Sequence, residues 1–360
     1  MHSLTPHYLA NLRFDTRQLA TLSALGEYRG KQRLYVAQSP QALGDLKQVA
    51  VIESTESSNR LEGVVVSKER LKSLVLKNAV PKSRSEQEIA GYRDALSLIH
   101  ENAGEMPFSE NMILQLHGIL YRYLAQPGGH WKASNNDIVE RHPDGATRVR
   151  FRPVAAHLTS VAMRDLVARH HAALDQHSAD PLVLVPLVVL DFLCIHPFSD
   201  GNGRVARLLT LLLLYQFDYA VGRYISLERI FEESKESYYE TLEASSQGWH
   251  EEVHDIRPWL DYFWGALLRA YKEFEERVGT IERGRGAKGD RVRADILKRS
   301  LPFSISEIEA ACPGVSRDMV RVVLRAMKFE GLIASTGKGR GAKWVCLNQR
   351  MPFVAAGVQK

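Results

Sequence analysis

The sequence predicts a mainly α-helical protein. Three observations carry that expectation. Residues 1 to about 100 follow helical apolar spacing; an apolar run from Leu182 to Ile195 is followed, after a short polar loop, by Val205, Leu208, Leu209 and Leu212 at helical spacing; and extended, turn-bounded runs cluster at only two places, near residues 138–151 and 332–347. With 360 residues, 45% hydrophobic and 25% charged, the chain is long enough for more than one core.

Along the N-terminal helical region a loop is expected at Tyr28 to Gln41. The stretch Ser58-Asn-Arg-Leu-Glu62-Gly63 reads as a helix end, because glycine after the last helical turn takes the left-handed conformation at no steric cost. Further on, Asn135 to Glu140 and Thr147 to Phe151 flank an Asp144-Gly145 turn signal, which predicts a β-hairpin between Gly128-Gly-His-Trp-Lys132 and Pro153.

The next element carries the chemistry. Where the apolar run stops, the chain reads His196-Pro-Phe-Ser-Asp-Gly-Asn-Gly-Arg-Val-Ala-Arg207. Pro197 fixes its own φ and biases His196 away from αR, while Gly201 and Gly203 permit backbone angles that a Cβ penalises. The loop feeds a helix N-terminus, where free N–H groups and the macrodipole favour an anion. Arg204 and Arg207, at i and i+3, project from one side of the first turns and can grip successive phosphates as bidentate forks. Asp200, a single carboxylate inside a phosphate loop, suits Mg²⁺, which prefers one or two carboxylates plus phosphate oxygens and water. His196, with an ordinary pKa of about 6.5, is the candidate general base. Singly, each of these residues reads equally as a cap, a turn or a solvated charge.

Beyond the catalytic stretch, Gly279 to Gly289 is glycine-rich and charged and reads as a helix end and linker. From Glu282 onward 16 Lys and Arg stand against 7 Asp and Glu, so this end carries +9 and the rest of the chain −4 within a total of +5. Helices are expected at Arg291–Ser300 and Ser304–Ala311. After a turn at Pro313-Gly314 comes a longer helix capped by Ser316, with Val320, Val323, Leu324 and Met327 on its apolar face and Arg317, Arg321, Arg325 and Lys328 on a basic stripe. Strands at Leu332–Ser335 and Lys343–Leu347 flank a tip at Gly337–Gly341. That order is a winged helix-turn-helix. Its third helix, through Arg317, Arg321 and Arg325, reads as a DNA contact or, equally, as the solvated face of a protein-interaction module.

Residues 196–207 fill every fixed position of the signature His-Pro-Phe-x-(Asp/Glu)-Gly-Asn-(Gly/Lys)-Arg-x-x-Arg, and the chain resembles the Fic family. That resemblance implies a Fic helical bundle with a β-hairpin flap, and transfer of AMP from ATP to a hydroxyl of Ser, Thr or Tyr on a protein target or on the chain itself. It gives His196 the role of base, Asp200 the metal, Gly201, Asn202 and Gly203 the anion hole, and Arg204 and Arg207 the β- and γ-phosphates. Phe198 would anchor the loop. The related Doc phosphotransferases carry Lys where this chain has Gly203, which favours nucleotidyl transfer. Ser58, Glu62 and Gly63 fit the pattern (Ser/Thr)-x-x-x-Glu-(Gly/Asn), which in this family marks an inhibitory helix. A carboxylate in the γ-phosphate's place would neutralise Arg207 and misalign ATP, and a displacement of about 1 Å costs on the order of 100-fold in rate. The hairpin matches the family's target-positioning flap, although Lys132 stands where many members carry Arg. Tyr238-Tyr239 resembles the pair that contacts adenosine, with Tyr239 the candidate; seven residues on, Ser246 replaces an adenosine-binding Asn.

The resulting organisation is an N-terminal helical region at 1–104 with inhibitory segment 58–63, a catalytic core at 105–278, a linker at 279–289 and a winged helix at 290–350. The same residues serve two other readings of the loop, removal of AMP from a modified protein or another Fic-type nucleotidyl transfer. A reading from a different class is a DNA-binding regulator that only senses nucleotide. Cys194, Cys312 and Cys346 have no metal spacing and form no disulfide framework. The apolar runs are short and interrupted, and no signal-peptide pattern opens the sequence, so a cytoplasmic protein without membrane contact is expected. A homodimer fits the family's habit.

Overall fold

A computed structural model describes residues 3–38, 40–141, 147–283, 287–299, 301–336 and 343–347. The chain divides into two compact units, Met1–Glu275 and Glu276–Lys360. Helices dominate both, and among the described residues the strands form two antiparallel pairs. No helix among these residues is long and apolar enough to cross a membrane.

The first unit opens with α1 (Pro6–Asn11), α2 (Thr16–Gln38) and α3 (Pro40–Leu61), continues through α4 (Lys68–Lys77), α5 (Arg84–Asn102) and α6 (Glu110–Leu120), and then pairs β1 (Ile138–Arg141) with β2 (Thr147–Phe151). It closes with α7 (Thr159–Asp175), α8 (Pro181–Ile195), α9 (Asn202–Gln216), α10 (Leu227–Glu233), α11 (Lys235–Ser246) and α12 (Arg257–Arg283), the last running on into the second unit. Side-chain caps fix many starts: Ser67, Ser83, Ser109, Asp180 and Ser226 each accept an N–H from the first turn of the helix they precede.

The centre of the unit is α8 packed on α9. α8 is buried along its length from Leu182 to Ile195 except at Leu193, which is why its sequence reads as a continuous apolar run without a polar face. Pro186 lies inside it and cannot donate to the Leu182 carbonyl four residues back. The Trp264 indole N–H takes that carbonyl instead at 2.7 Å, and the Trp259 indole donates to the Pro186 carbonyl at 2.9 Å, so α12 satisfies the break. Asp191, also inside α8, is fully buried and accepts from the Ser3 backbone N–H at 2.9 Å and the Trp249 indole at 2.6 Å. Burial pushes its carboxyl up to about 6, although these donors pull the other way.

One expectation of local structure needs correction. The loop anticipated at Tyr28 to Gln41 is not there: helix α2 continues to Gln38. Gly26 and Gly30 weaken its intrinsic propensity, but tertiary contacts override them. Tyr28 stacks on Tyr271, Tyr35 meets Phe274 edge-on, and the Tyr271 hydroxyl donates to Gln32 Oε1 at 3.1 Å. Within the glycine-rich stretch 279–289, helix runs to Arg283 and resumes at Ala287. The Asp144-Gly145 turn lies outside the described residues; the strands on either side pair Val139 with Val149 and Arg141 with Thr147, after a bulge at Ile138.

The second unit comprises α13 (Ala287–Leu297), α14 (Ile305–Ala311), α15 (Arg317–Phe329) and the pair β3 (Ile333–Thr336) and β4 (Lys343–Cys346). α14 starts with a capping box between Ser304 and Glu307, and Ser316 caps α15. Val320, Val323, Leu324 and Met327 of α15 close a small core with Val292, Ile296, Phe303, Ile308 and Ile333. Phe303 and Trp344 exchange backbone hydrogen bonds of 2.9 and 2.8 Å, adding a bridge beside the hairpin. The hairpin tip at 337–341 lies outside the described residues.

Candidate active site

The site lies where α8 ends and α9 begins. Helix α8 stops at His196, whose left-handed φ of 51° caps it. Gly201, with φ 84°, opens α9 in a conformation an L side chain resists. Between them the loop is held from inside. Asn202 Oδ1 accepts from the Phe198 N–H at 2.9 Å and its Nδ2 donates to the Phe198 carbonyl at 2.7 Å. Its side chain thereby braces the loop from within. Phe198 is buried and stacks on His117 with centroids 3.8 Å apart and planes 8° from parallel.

Gly203 departs from its sequence reading. It sits in ordinary helix, so left-handed freedom is not what glycine provides there. A Cβ at 203 would stand 2.3 Å from Glu62 Oε1 and 3.1 Å from Arg207 Nη1, so the missing side chain makes room for a carboxylate.

That carboxylate arrives from α3. The helix ends in paired reverse bonds, Val64 N–H to the Asn59 carbonyl and Gly63 N–H to the Arg60 carbonyl, both 2.9 Å, with Gly63 at φ 80°. The Glu-Gly ending is therefore a helix stop, and the stop aims Glu62 at the loop. Glu62 Oε1 accepts from Arg207 Nη2 at 2.7 Å, while Ser58 takes Nε on its hydroxyl and Nη2 on its carbonyl, each at 2.8 Å. Arg207 is nearly fully buried. Burial opposes its charge, but the Glu62 carboxylate, together with Tyr238, Tyr92 and Tyr239, outweighs that and holds the guanidinium firmly protonated. α3 itself is seated on α10: Ser54 Oγ donates to Glu228 Oε2 at 2.8 Å in a buried contact.

Arg204 is buried too, and another acid holds it. Its Nη1 donates to Glu88 Oε2 of α5 at 2.7 Å, and its Nη2 reaches Asp200 Oδ2 at 3.4 Å. Asp200 keeps most of its side chain in solvent and accepts from the Tyr121 hydroxyl at 2.7 Å. Burial raises its pKa, yet Tyr121, Arg204 and the Gly201 N–H together lower it on balance, so it is an anion at neutral pH. An exposed carboxylate already ionised beside two arginines fits a magnesium ion shared with phosphate oxygens. Among the described residues no cluster of three or more His, Cys, Asp or Glu forms a metal cage.

His196 is poised as an acceptor. Its Nδ1 faces the Leu193 carbonyl at 3.3 Å, a geometry that places the proton on Nδ1 and leaves Nε2 with its lone pair. Burial lowers its pKa to about 4, with Lys132 adding to the effect and Leu193, Glu62 and Asp200 opposing it, so the imidazole is neutral at pH 7. His117, unmarked by any sequence signal, is neutral by burial as well, with a pKa near 4. It accepts from the Gly129 N–H at 2.9 Å and its Nε2 lies 3.2 Å from the Asp200 carbonyl, tying the Gly128-Gly129 turn to the loop.

Of the remaining candidates, Tyr239 is brought to the site: Glu62 and Arg207 are the charges that act most on its phenol after burial, which raises it. Ser246 is buried against its own helix, donating to the Glu243 carbonyl at 2.9 Å, and lines a cleft with Val149 to Arg152 and Gln247 to His250. The hairpin is braced to α11 by Arg148 and Arg150, which meet the two Glu243 oxygens at 2.8 and 2.7 Å. In the second unit Arg317 is paired with Glu309 and Arg321 with Asp318, whereas Arg325 is exposed and makes no ion pair among the described residues.

The chain is similar to known proteins in part of its sequence and in its fold. Residues 107–214 match the Fic/DOC family. The protein adenylyltransferase fic-1 of Caenorhabditis elegans is 27% identical over 151 residues, 37% of this chain and 27% of that protein, so the match spans about a quarter of the relative's length. Among solved structures, a Fic family protein from Desulfovibrio desulfuricans superposes with a TM-score of 0.61 at 20% identity, covering 95% of this chain and 99% of its own. A Fic-domain signalling protein from Bacteroides thetaiotaomicron gives 0.59 at 23% identity, over 71% of this chain and 97% of its own. A fragment of C. elegans Fic-1 gives 0.57 at 19% identity, over 74% and 73%. At these identities the structural likeness establishes the fold.

Proposed function

We propose that this chain, whose residues 107–214 match the Fic/DOC family, is a protein adenylyltransferase, moving AMP from ATP to a hydroxyl of a protein target or of itself, and held low by Glu62. The observation that carries this reading is the 2.7 Å pair between Glu62 and Arg207 beside a complete loop whose base is already neutral. The name of the C. elegans relative supports the reaction class.

In the proposed reaction His196 Nε2 takes the proton of the target hydroxyl, the freed oxygen bonds to the α-phosphorus, and the bond to the β-phosphate oxygen breaks to release pyrophosphate. Arg207 and Arg204 would bind the leaving phosphates, and the N–H groups at the start of α9 the charge that grows on them. Asp200 would hold Mg²⁺, which neutralises polyphosphate charge when bound. Glu62 blocks this by occupying the Arg207 fork and repelling the terminal phosphate. Tyr239 is the proposed adenosine contact; Ser246 is a weaker candidate because its hydroxyl is spent on its own helix. We further read the second unit as a winged helix and the protein as cytoplasmic.

The test is intact-protein and peptide mass spectrometry after incubation with ATP and Mg²⁺. An AMP adduct should be strong in Glu62→Gly, faint in the wild-type chain and absent in Glu62→Gly/His196→Ala. No adduct in any of them despite ATP binding overturns the autonomous transferase and turns the search to removal of AMP from a modified protein.

A further inference from the structure

Lys132 is buried to 4% exposure, and among the described residues no carboxylate pairs with it. Its bonds go to the catalytic loop instead. The ammonium donates to the Ile195 carbonyl at 3.2 Å and to Asn136 Oδ1 at 2.9 Å, and the Lys132 backbone N–H donates to the Pro197 carbonyl at 2.8 Å. Asn136 in turn donates from Nδ2 to the Phe198 carbonyl at 3.0 Å. The carbonyls on both sides of His196, and the one after, are thus held by five residues of chain that run directly into β1.

We propose that Lys132 is the positioning residue for His196: with Asn136 it clamps the peptides flanking the base. This rests on the proposed transfer reaction but makes a claim that stands apart from it. The clamp also couples the base to the hairpin, because Lys132 and Asn136 lie on the segment that leads into β1. A burial cost of this size is not needed merely to fold a loop that Asn202 and Phe198 already hold from within. Burial lowers the Lys132 pKa to about 8, with Lys132 in turn depressing His196, whose other charged neighbours are Glu62 and Asp200. The charge on the clamp is therefore present at neutral pH and lost as pH rises through about 8.

The experiment uses the full chain in the Glu62→Gly background with ¹⁵N-labelled histidine, the His196 signal being assigned by its loss in His196→Ala. Lys132→Met should lower kcat for transfer on the order of 100-fold with little change in KM for ATP, and shift the His196 titration upward. Asn136→Ala keeps the charge and loosens the clamp, so kcat should fall while the titration stays. Lys132→Arg should recover most of kcat and remove the alkaline fall near pH 8. If Lys132→Met folds with kcat and the His196 titration unchanged, or if KM rises in step with the loss, the proposal is overturned. If Lys132→Met does not fold, Asn136→Ala with unchanged kcat overturns it alone. Should the parent show no transfer at all, the transferase reading fails, while the His196 titration still decides the role of Lys132.

Discussion

Glu62 and Gly203 are complementary surfaces: the carboxylate of one fills the volume that a side chain on the other would occupy, with only 2.3 Å between Glu62 Oε1 and an added Cβ. The Glu62–Arg207 contact is thus built from both sides, an acid aimed by a helix stop and a glycine that lets it in. Glu62 is the end of a flexible side chain, so crowding it moves it rather than the backbone.

Gly203→Ala should therefore push Glu62 off Arg207 and raise transfer in the otherwise wild-type chain. In the Glu62→Gly background the same substitution has nothing to displace and should give no gain. Comparing AMP incorporation in the four proteins checks this; a gain of similar size in both backgrounds would show that Gly203 acts on the nucleotide rather than on the gate.

Loss of the gate should also be visible without turnover. Arg207 is buried, and Glu62→Gly removes its carboxylate partner, so the apo chain should lose on the order of 1–2 kcal/mol, less than for a fully buried pair because Glu62 is 30% exposed. ATP with Mg²⁺ should raise the Tm of Glu62→Gly more than that of the wild-type chain, since phosphate then replaces the missing carboxylate. Equal shifts in the two proteins would mean that Glu62 does not compete with nucleotide.

The loop was legible because its residue types are constrained one by one by anion chemistry, and Gly201 takes the left-handed angle its position suggested. Gly203 was misread for a physical reason: sequence reports a missing Cβ, but not whether backbone angle or neighbouring volume demands it. The helix at Tyr28–Gln38 was hidden because its glycines face open space and its stability comes from Tyr271 and Phe274, some 240 residues away in the chain. Lys132 and His117 act through hydrogen bonds to loop carbonyls and N–H groups, and such contacts leave no spacing to read.

Acid should weaken the fold through its histidines. Burial lowers His100 to about 3 and His117, His170, His196 and His254 to about 4, from an unfolded value near 6.5. A depressed histidine contributes stability that is present above 6.5 and lost as pH falls through the folded value, because only the unfolded chain takes up the proton. Asp191, raised to about 6, acts in the opposite sense between 6 and 3.8. Each uncompensated proton is worth about 1.4 kcal/mol per pH unit, so five against one leaves a steep net loss between pH 6.5 and 4. Urea midpoints at pH 7, 5.5 and 4.5 should fall in that order, and a flat series would refute the burial of these rings.

On the basic helix of the second unit the arginines are unequal. Arg317 and Arg321 already have acidic partners, whereas Arg325 has none among the described residues. If this face meets nucleic acid, Arg325→Ala should weaken binding to duplex DNA more than Arg317→Ala, and binding should weaken steeply with salt. Titration of labelled duplex at two salt concentrations reads both; no binding at low salt leaves the face to a protein partner.

The Pro186 break in α8 offers a test of how the core is satisfied, because Trp264, distant in sequence, answers for the Leu182 carbonyl. Trp264→Phe keeps an aromatic ring, though a smaller one, but leaves the Leu182 carbonyl buried without its 2.7 Å donor, at a cost of about 1–3 kcal/mol. Pro186→Ala restores an N–H four residues on, at the right place to bond that carbonyl along the helix. The two changes should then be coupled: Trp264→Phe costs distinctly less in the Pro186→Ala background than alone. A double-mutant cycle on urea stability measures the difference directly. Simple additivity would mean that the indole contributes packing and not a hydrogen bond, and that the helix tolerates the orphaned carbonyl by some other route.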